Sequence, residues 1–147
     1  MSISFSHTIL RIFSVIALLG AWLSVGCGSS GPAVHSVKGQ VQLVGGDSSP
    51  LVGHMLEVTK ADDKLVRSYG EIKADGNFEL ESLIAGEIHK GAKEGKYQAR
   101  IVLADDDPAV KQQARAALHP RYLAFESSGL AFEVPAKTPV QLQVSRR

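Results

Sequence analysis

Lys96-Tyr97-Gln98-Ala99-Arg100-Ile101-Val102-Leu103 is the stretch that decides the fold. Tyr97, Ala99, Ile101 and Leu103 are apolar and alternate with Lys96, Gln98 and Arg100. A period of two sends successive side chains to opposite faces of a strand, whereas a helix repeats its apolar residues every three or four positions. The same grammar holds on both sides. Downstream, Leu130, Phe132 and Val134 alternate with Ala131 and Glu133, and Val140, Leu142 and Val144 with Gln141 and Gln143. Upstream, Val37, Gly39, Val41 and Leu43 alternate with Lys38, Gln40 and Gln42. Val52, His54, Leu56 and Val58 alternate with Met55, Glu57 and Thr59, and Phe78 and Leu80 oppose Glu79 and Glu81. Strands with one apolar and one polar face belong to a sheet covered on one side, the antiparallel case.

Between these runs stand turn-forming clusters: Gly45-Gly46-Asp47-Ser48-Ser49-Pro50, Ala61-Asp62-Asp63-Lys64 and Ala74-Asp75-Gly76-Asn77. The segment from Leu65 to Ile72 alternates less regularly. Together they predict an all-β domain over residues 36–147, a sandwich of about seven antiparallel strands in two sheets. One short helix interrupts it. Asp107 caps that helix, Pro108 suits its first position, and the Asp105-Asp106-Asp107 run favours the positive end of its dipole. Val110, Ala114, Ala117 and Leu118 lie at helical spacing, His119-Pro120 ends the helix, and it is expected to cross between the sheets.

Composition narrows the function classes. The chain has 147 residues, room for one ordinary domain, with 44% hydrophobic and 21% charged residues. A formal charge of +1 with the two signs interspersed leaves no basic footprint for nucleic acid. The single cysteine, Cys27, excludes an internal disulfide framework and needs its own explanation.

The segment before Cys27 supplies one. His7 and Arg11 precede the apolar run Ile12-Phe13-Ser14-Val15-Ile16-Ala17-Leu18-Leu19-Gly20-Ala21-Trp22-Leu23. That run is shorter than the roughly 20 residues of a membrane-spanning helix and matches a secretory h-region of about 7–15. Leu23-Ser24-Val25-Gly26-Cys27 then resembles a lipobox, with small Gly26 before the cysteine and Leu23 one place earlier than the leucine of that pattern. The resemblance implies a lipoprotein signal peptide over 1–26, lipidation of Cys27, a flexible tether over 27–35 and export to the bacterial cell envelope. Cleavage would remove Arg11 and no acidic residue, leaving the remainder formally neutral. Gly28, in place of an acidic residue after the lipidated cysteine, implies outer-membrane sorting, facing the periplasm or the cell surface.

A second resemblance covers Val37 to Val144. Val37-Lys38-Gly39-Gln40-Val41, Pro50-Leu51-Val52-Gly53, Asp75-Gly76-Asn77-Phe78-Glu79-Leu80 and Glu94-Gly95-Lys96-Tyr97 recur in this order in carboxypeptidase regulatory-like domains. His119-Pro120-Arg121-Tyr122 through Ser127-Ser128-Gly129-Leu130 to Val134 is similar to a subset found as short bacterial lipoproteins. The chain departs from the pattern at Lys93-Glu94-Gly95-Lys96 and in the insert-like stretch Ile84 to Gly91. The family's fold is a seven-stranded Greek-key sandwich, transthyretin-like and Ig-like. In it Gly39 would lie on the apolar face of the first strand, where only a small residue fits beside a facing side chain, Gly76 would meet a turn dihedral, and Tyr97 would bury its ring and bond a backbone group.

Candidate sites are few. His35, His54, His89 and His119 share no metal-ligand spacing, and only His54 interrupts an apolar face. The Asp105-Asp106-Asp107 run lacks the glycine and distal glutamate of a calcium loop and reads as a helix cap. Ser127-Ser128-Gly129 is not a nucleophile elbow, and Asp62-Asp63 and Glu79/Glu81 read as turn and solvent-face charges. Hydroxyisourate hydrolases share the transthyretin-like fold but end in Tyr-Arg-Gly-Ser, and this chain ends Val144-Ser145-Arg146-Arg147. The expectation is a non-catalytic envelope lipoprotein, without cofactor or metal, whose sandwich binds or spaces. Its partners would be the membrane through the lipid anchor and a protein or glycan. The alternative is a hydrolase, or an accessory subunit of an envelope enzyme, with a site near His54.

Overall fold

Strand β1 (Lys38–Val44) buries Gly39, Val41 and Leu43 and exposes its alternate residues, as the period of two requires. The computed structural model describes residues 32–147, so the expected signal peptide 1–26, Cys27 and the first part of the expected tether lie outside the described residues. Eight further strands follow: β2 (Met55–Lys60), β3 (Arg67–Glu71), β4 (Asn77–Glu79), β5 (Glu81–Ile84), β6 (Glu87–Lys90), β7 (Gly95–Val102), β8 (Leu130–Val134) and β9 (Val140–Ser145). They form a three-stranded sheet, β4-β1-β9, and a six-stranded sheet, β6-β5-β3-β2-β7-β8. The domain is an all-β sandwich.

The core lies between the sheets. Val37, Val41, Leu43, Phe78, Leu142 and Val144 from one side meet Leu56, Val58, Tyr97, Ala99, Ile101 and Val134 from the other, all 3% exposed or less. Burying each large apolar side chain contributes roughly 1.5–3 kcal/mol. Gly39 is obligatory. A Cβ there would stand 2.2 Å from the Val140 carbonyl oxygen and 2.6 Å from the Phe78 ring. Tyr97 buries its ring against Phe132, with centroids 5.7 Å apart, and its hydroxyl donates to the Lys93 carbonyl at 2.9 Å.

The chain changes sheets at Leu80. The Leu80 N–H donates to Val37 O at 2.9 Å, and Leu80 O accepts from Gly91 N–H at 2.6 Å. One residue thus ties β1 to the strands beyond it, and the apparent run from Phe78 to Leu83 divides into β4 and β5.

Four features differ from the sequence expectation. Among the described residues there are nine strands rather than seven, and the extra hairpin, β5–β6, falls on the insert-like stretch. The first and last strands in the chain, β1 and β9, pair in parallel from Gly39↔Val140 to Val44↔Ser145. A period of two reports which face is buried and carries nothing about the direction of the neighbouring strand. The expected helix α1 (Pro108–Ala117) forms with Asp107 as its cap, Asp107 Oδ1 accepting from Ala109 N–H at 2.8 Å. It links β7 to β8, neighbours in one sheet, so it does not cross between sheets. A one-turn helix α2 (Phe125–Ser128) and 3-10 turns at Ser49–Leu51, Ala74–Gly76 and Pro120–Leu123 accompany it.

Candidate functional site

His54 precedes β2 and is fully buried (0% exposed). Its Nδ1 accepts the Ala104 N–H at 3.0 Å, which puts the ring proton on Nε2. Nε2 has no hydrogen-bond partner. Burial lowers the imidazole's pKa, against smaller opposing effects of the Val110 backbone and the Asp106 carboxylate. The ring is therefore a neutral core group that fastens the end of β7 to β2. No carboxylate or hydroxyl reaches it, the arrangement a general acid or base would need.

The other sequence candidates also resolve into local contacts. Asp105 pairs with Lys111, whose hydrogen bond and charge hold its carboxyl below the usual value. Asp62 meets Lys60 at 3.4 Å, and Glu79 meets Lys38 at 3.5 Å. His35 bridges to Ala92, and His119 Nδ1 accepts from Arg121 N–H at 3.2 Å to cap a 3-10 turn. Ser128 is buried and its Oγ donates to the Ala99 carbonyl at 2.6 Å. Among the described residues no three metal-ligating side chains converge, and no helix is long and apolar enough to cross a membrane. The predicted lipidation residue, Cys27, lies outside the described residues.

The outer face of the six-stranded sheet, turned away from the core, holds what the sequence reading missed. Alternation places Glu57 on the polar face of β2, yet it is only 3% exposed. Arg67 Nη1 reaches its Oε1 at 2.8 Å, and Arg100 Nε donates to Oε2 at 2.6 Å. The Glu57 carboxylate raises the pKa of the Arg67 guanidinium in return. Phe125 closes the cluster, its ring 4.8 Å from the Arg100 guanidinium carbon.

Toward the β6 edge of the sheet the same face is bare. Tyr69 stands opposite Glu81, and Leu83 opposite Ile88, so all four side chains share the outer face. Leu83 is 67% exposed, Ile88 70% and Tyr69 40%. Strands β3 and β5 pair only at Tyr69↔Glu81. Beside that single pairing lies a groove lined by Met55, Tyr69, Leu83, Ile88 and Lys90. Ala85 and Gly86 turn the hairpin with φ of 53° and 87°, the positive pair of a type I′ turn. Among the described residues, strand β6 ends the sheet and has no neighbouring strand on its outer edge. The signal for this surface lies in Leu83 just before the insert-like stretch and Ile88 inside it, but burial cannot be read from residue type alone.

Comparison with known proteins finds no matching family model, no matching curated protein and no matching solved structure.

Proposed function

We propose that this chain is a non-catalytic cell-envelope lipoprotein, held to the membrane through lipidated Cys27, whose sandwich is a binding module. The observation that carries the binding role is the outer face of β5–β6, where Leu83 and Ile88 are two-thirds exposed beside a free strand edge. Apolar side chains clustered at an unpaired edge are the ordinary means of strand-addition binding. The titratable candidates, by contrast, are occupied in capping, ion pairs or core contacts. The alternative of a hydrolase or accessory subunit near His54 draws no support from that residue's surroundings.

The anchor rests on the single cysteine placed where the h-region ends, and on the resemblance of Ser24-Val25-Gly26-Cys27 to a lipobox. The ordered motifs from Val37 to Val134 support a carboxypeptidase regulatory-like, transthyretin-like domain with Greek-key connections, here extended by the β5–β6 hairpin. Outer-membrane placement follows from Gly28. The deciding experiment is mass spectrometry and membrane fractionation of the full chain beside Cys27→Ala. The wild type is expected to lose residues 1–26, gain an acyl-glyceryl mass and follow the membrane, and the variant to do none of these. A soluble, unmodified wild type would overturn the anchor and the localisation together.

A further inference from the structure

We propose that the free edge of β6 is a self-association surface, at which two copies of the chain pair their β6 strands antiparallel with Ile88 opposite Ile88. The inference rests on the binding-module reading and names its partner, a second copy.

The hairpin dictates which backbone groups are available. A two-residue turn makes Ile84 and Glu87 a hydrogen-bonded pair, and alternation makes Ser82–His89 and Leu80–Gly91 the next such pairs. The Gly91 N–H does donate to Leu80 O, at 2.6 Å. Glu87 and His89 therefore turn their backbone groups toward β5. Among the described residues, Ile88 and Lys90 turn theirs toward an open edge, which ends at Ala92, whose N–H and carbonyl both pair with His35.

Two antiparallel copies must then bond through Ile88 and Lys90, which limits the symmetric registers. Centring the pair on Lys90 sets two ammonium groups opposite each other, a repulsive arrangement. Centring it on His89 opposes two imidazoles and sets each Ile88 against the partner's Lys90. Centring it on Ile88 lets the two isoleucines exchange both backbone bonds and pack on the outer face beside Leu83. On the opposite face it sets Glu87 across from the partner's His89, on each side of the two-fold axis. Only this register matches apolar with apolar and acid with base.

Other edges are less suited. The end of β9 is closed by the Leu118↔Arg146 bridge and by His119 N–H donating to Ser145 O at 3.2 Å. Strand β8 exposes Ala131 and Glu133, with no large apolar side chain fully exposed. Four-residue strands make a small contact, so the pairing is weak in free solution. Two chains anchored to one membrane are held at a raised effective concentration, which compensates.

The test uses the full chain in phospholipid vesicles, with wild type as the control for Cys27. In the proposed register the two positions 88 lie about 5.5 Å apart between Cα atoms, inside disulfide range. The two positions 90 lie four residues out of step, about 14 Å apart. On oxidation, Ile88→Cys is expected to yield a linked product of twice the chain mass, at least about tenfold more than Lys90→Cys. No such product, or equal yields, would overturn the pairing. Linking in the cell envelope to a chain of different mass would overturn the homodimer and leave the binding-module reading standing. No linking in either setting would remove both. Because Ile88 is exposed, the substitution leaves the core intact.

Discussion

One face of one sheet behaves in two opposite ways. Across β2 and β7 the outer face carries a carboxylate, Glu57, buried beneath Arg67, Arg100 and Phe125. Across β5 and β6 the same face carries Leu83 and Ile88 in the open. Alternation predicts the reverse, polar residues wet and apolar ones dry. The difference comes from what lies over each region. Long arginine side chains and α2 roof the first, and no described residue roofs the second. Burial on an outer face is thus decided by the neighbours that arch over it, and the hairpin's apolar residues stay exposed.

Substitutions at the covered end carry the largest expected effect. Glu57→Ala leaves two arginines facing each other without their shared carboxylate. Both guanidinium groups retain some solvent, so the cost is less than for a fully buried pair, about 2 kcal/mol in a denaturant titration. A loss below about 0.5 kcal/mol would show that the roof over Glu57 is ornamental and remove one side of the contrast.

The next effect is in pH. Burial holds the His54 imidazole below its ordinary pKa of about 6.5, so the unfolded chain takes up the proton first. Stability is then full above about 6.5 and falls as pH drops through that window toward the folded pKa, by at most about 1.4 kcal/mol per pH unit. A His54→Gln variant should be less stable at neutral pH yet show a flatter profile between pH values of about 7.5 and 5. An unchanged slope would mean that the ring is not held neutral in the core. The smallest effect belongs to the bare end. Leu83→Ser should shift the unfolding midpoint by the equivalent of no more than about 0.5 kcal/mol, since the side chain is already in water. A larger loss would mean that the hairpin surface serves the fold rather than a partner.

Much of the fold was legible. Gly39, Gly76, Asp107 and Tyr97 do in space what their local chemistry requires, because a close approach, a positive φ, a helix cap and a buried hydroxyl are short-range demands. His54 was legible as an interruption of an apolar face but not as a tethered neutral ring, since its partner, Ala104, is 50 residues away. Val52, read as part of the second strand, stands half-exposed in the turn before it, because the 3-10 turn Ser49–Leu51 consumes that part of the chain. The Leu65–Ile72 irregularity has a counterpart too. Leu65 is 93% exposed at a turn, and β3 starts only at Arg67.

That the described residues form half-buried strands around one core, and that a helix begins after Asp107, can be read from the sequence. Those properties follow from the period of side chains along a backbone and from the capping of a single helix end. That β1 and β9 run parallel, that Glu57 is roofed by two arginines, and that β6 ends the sheet with Ile88 exposed emerges only from the folded arrangement. Each of these depends on which distant segment lies alongside, and side-chain periodicity is blind to the identity and direction of a neighbour.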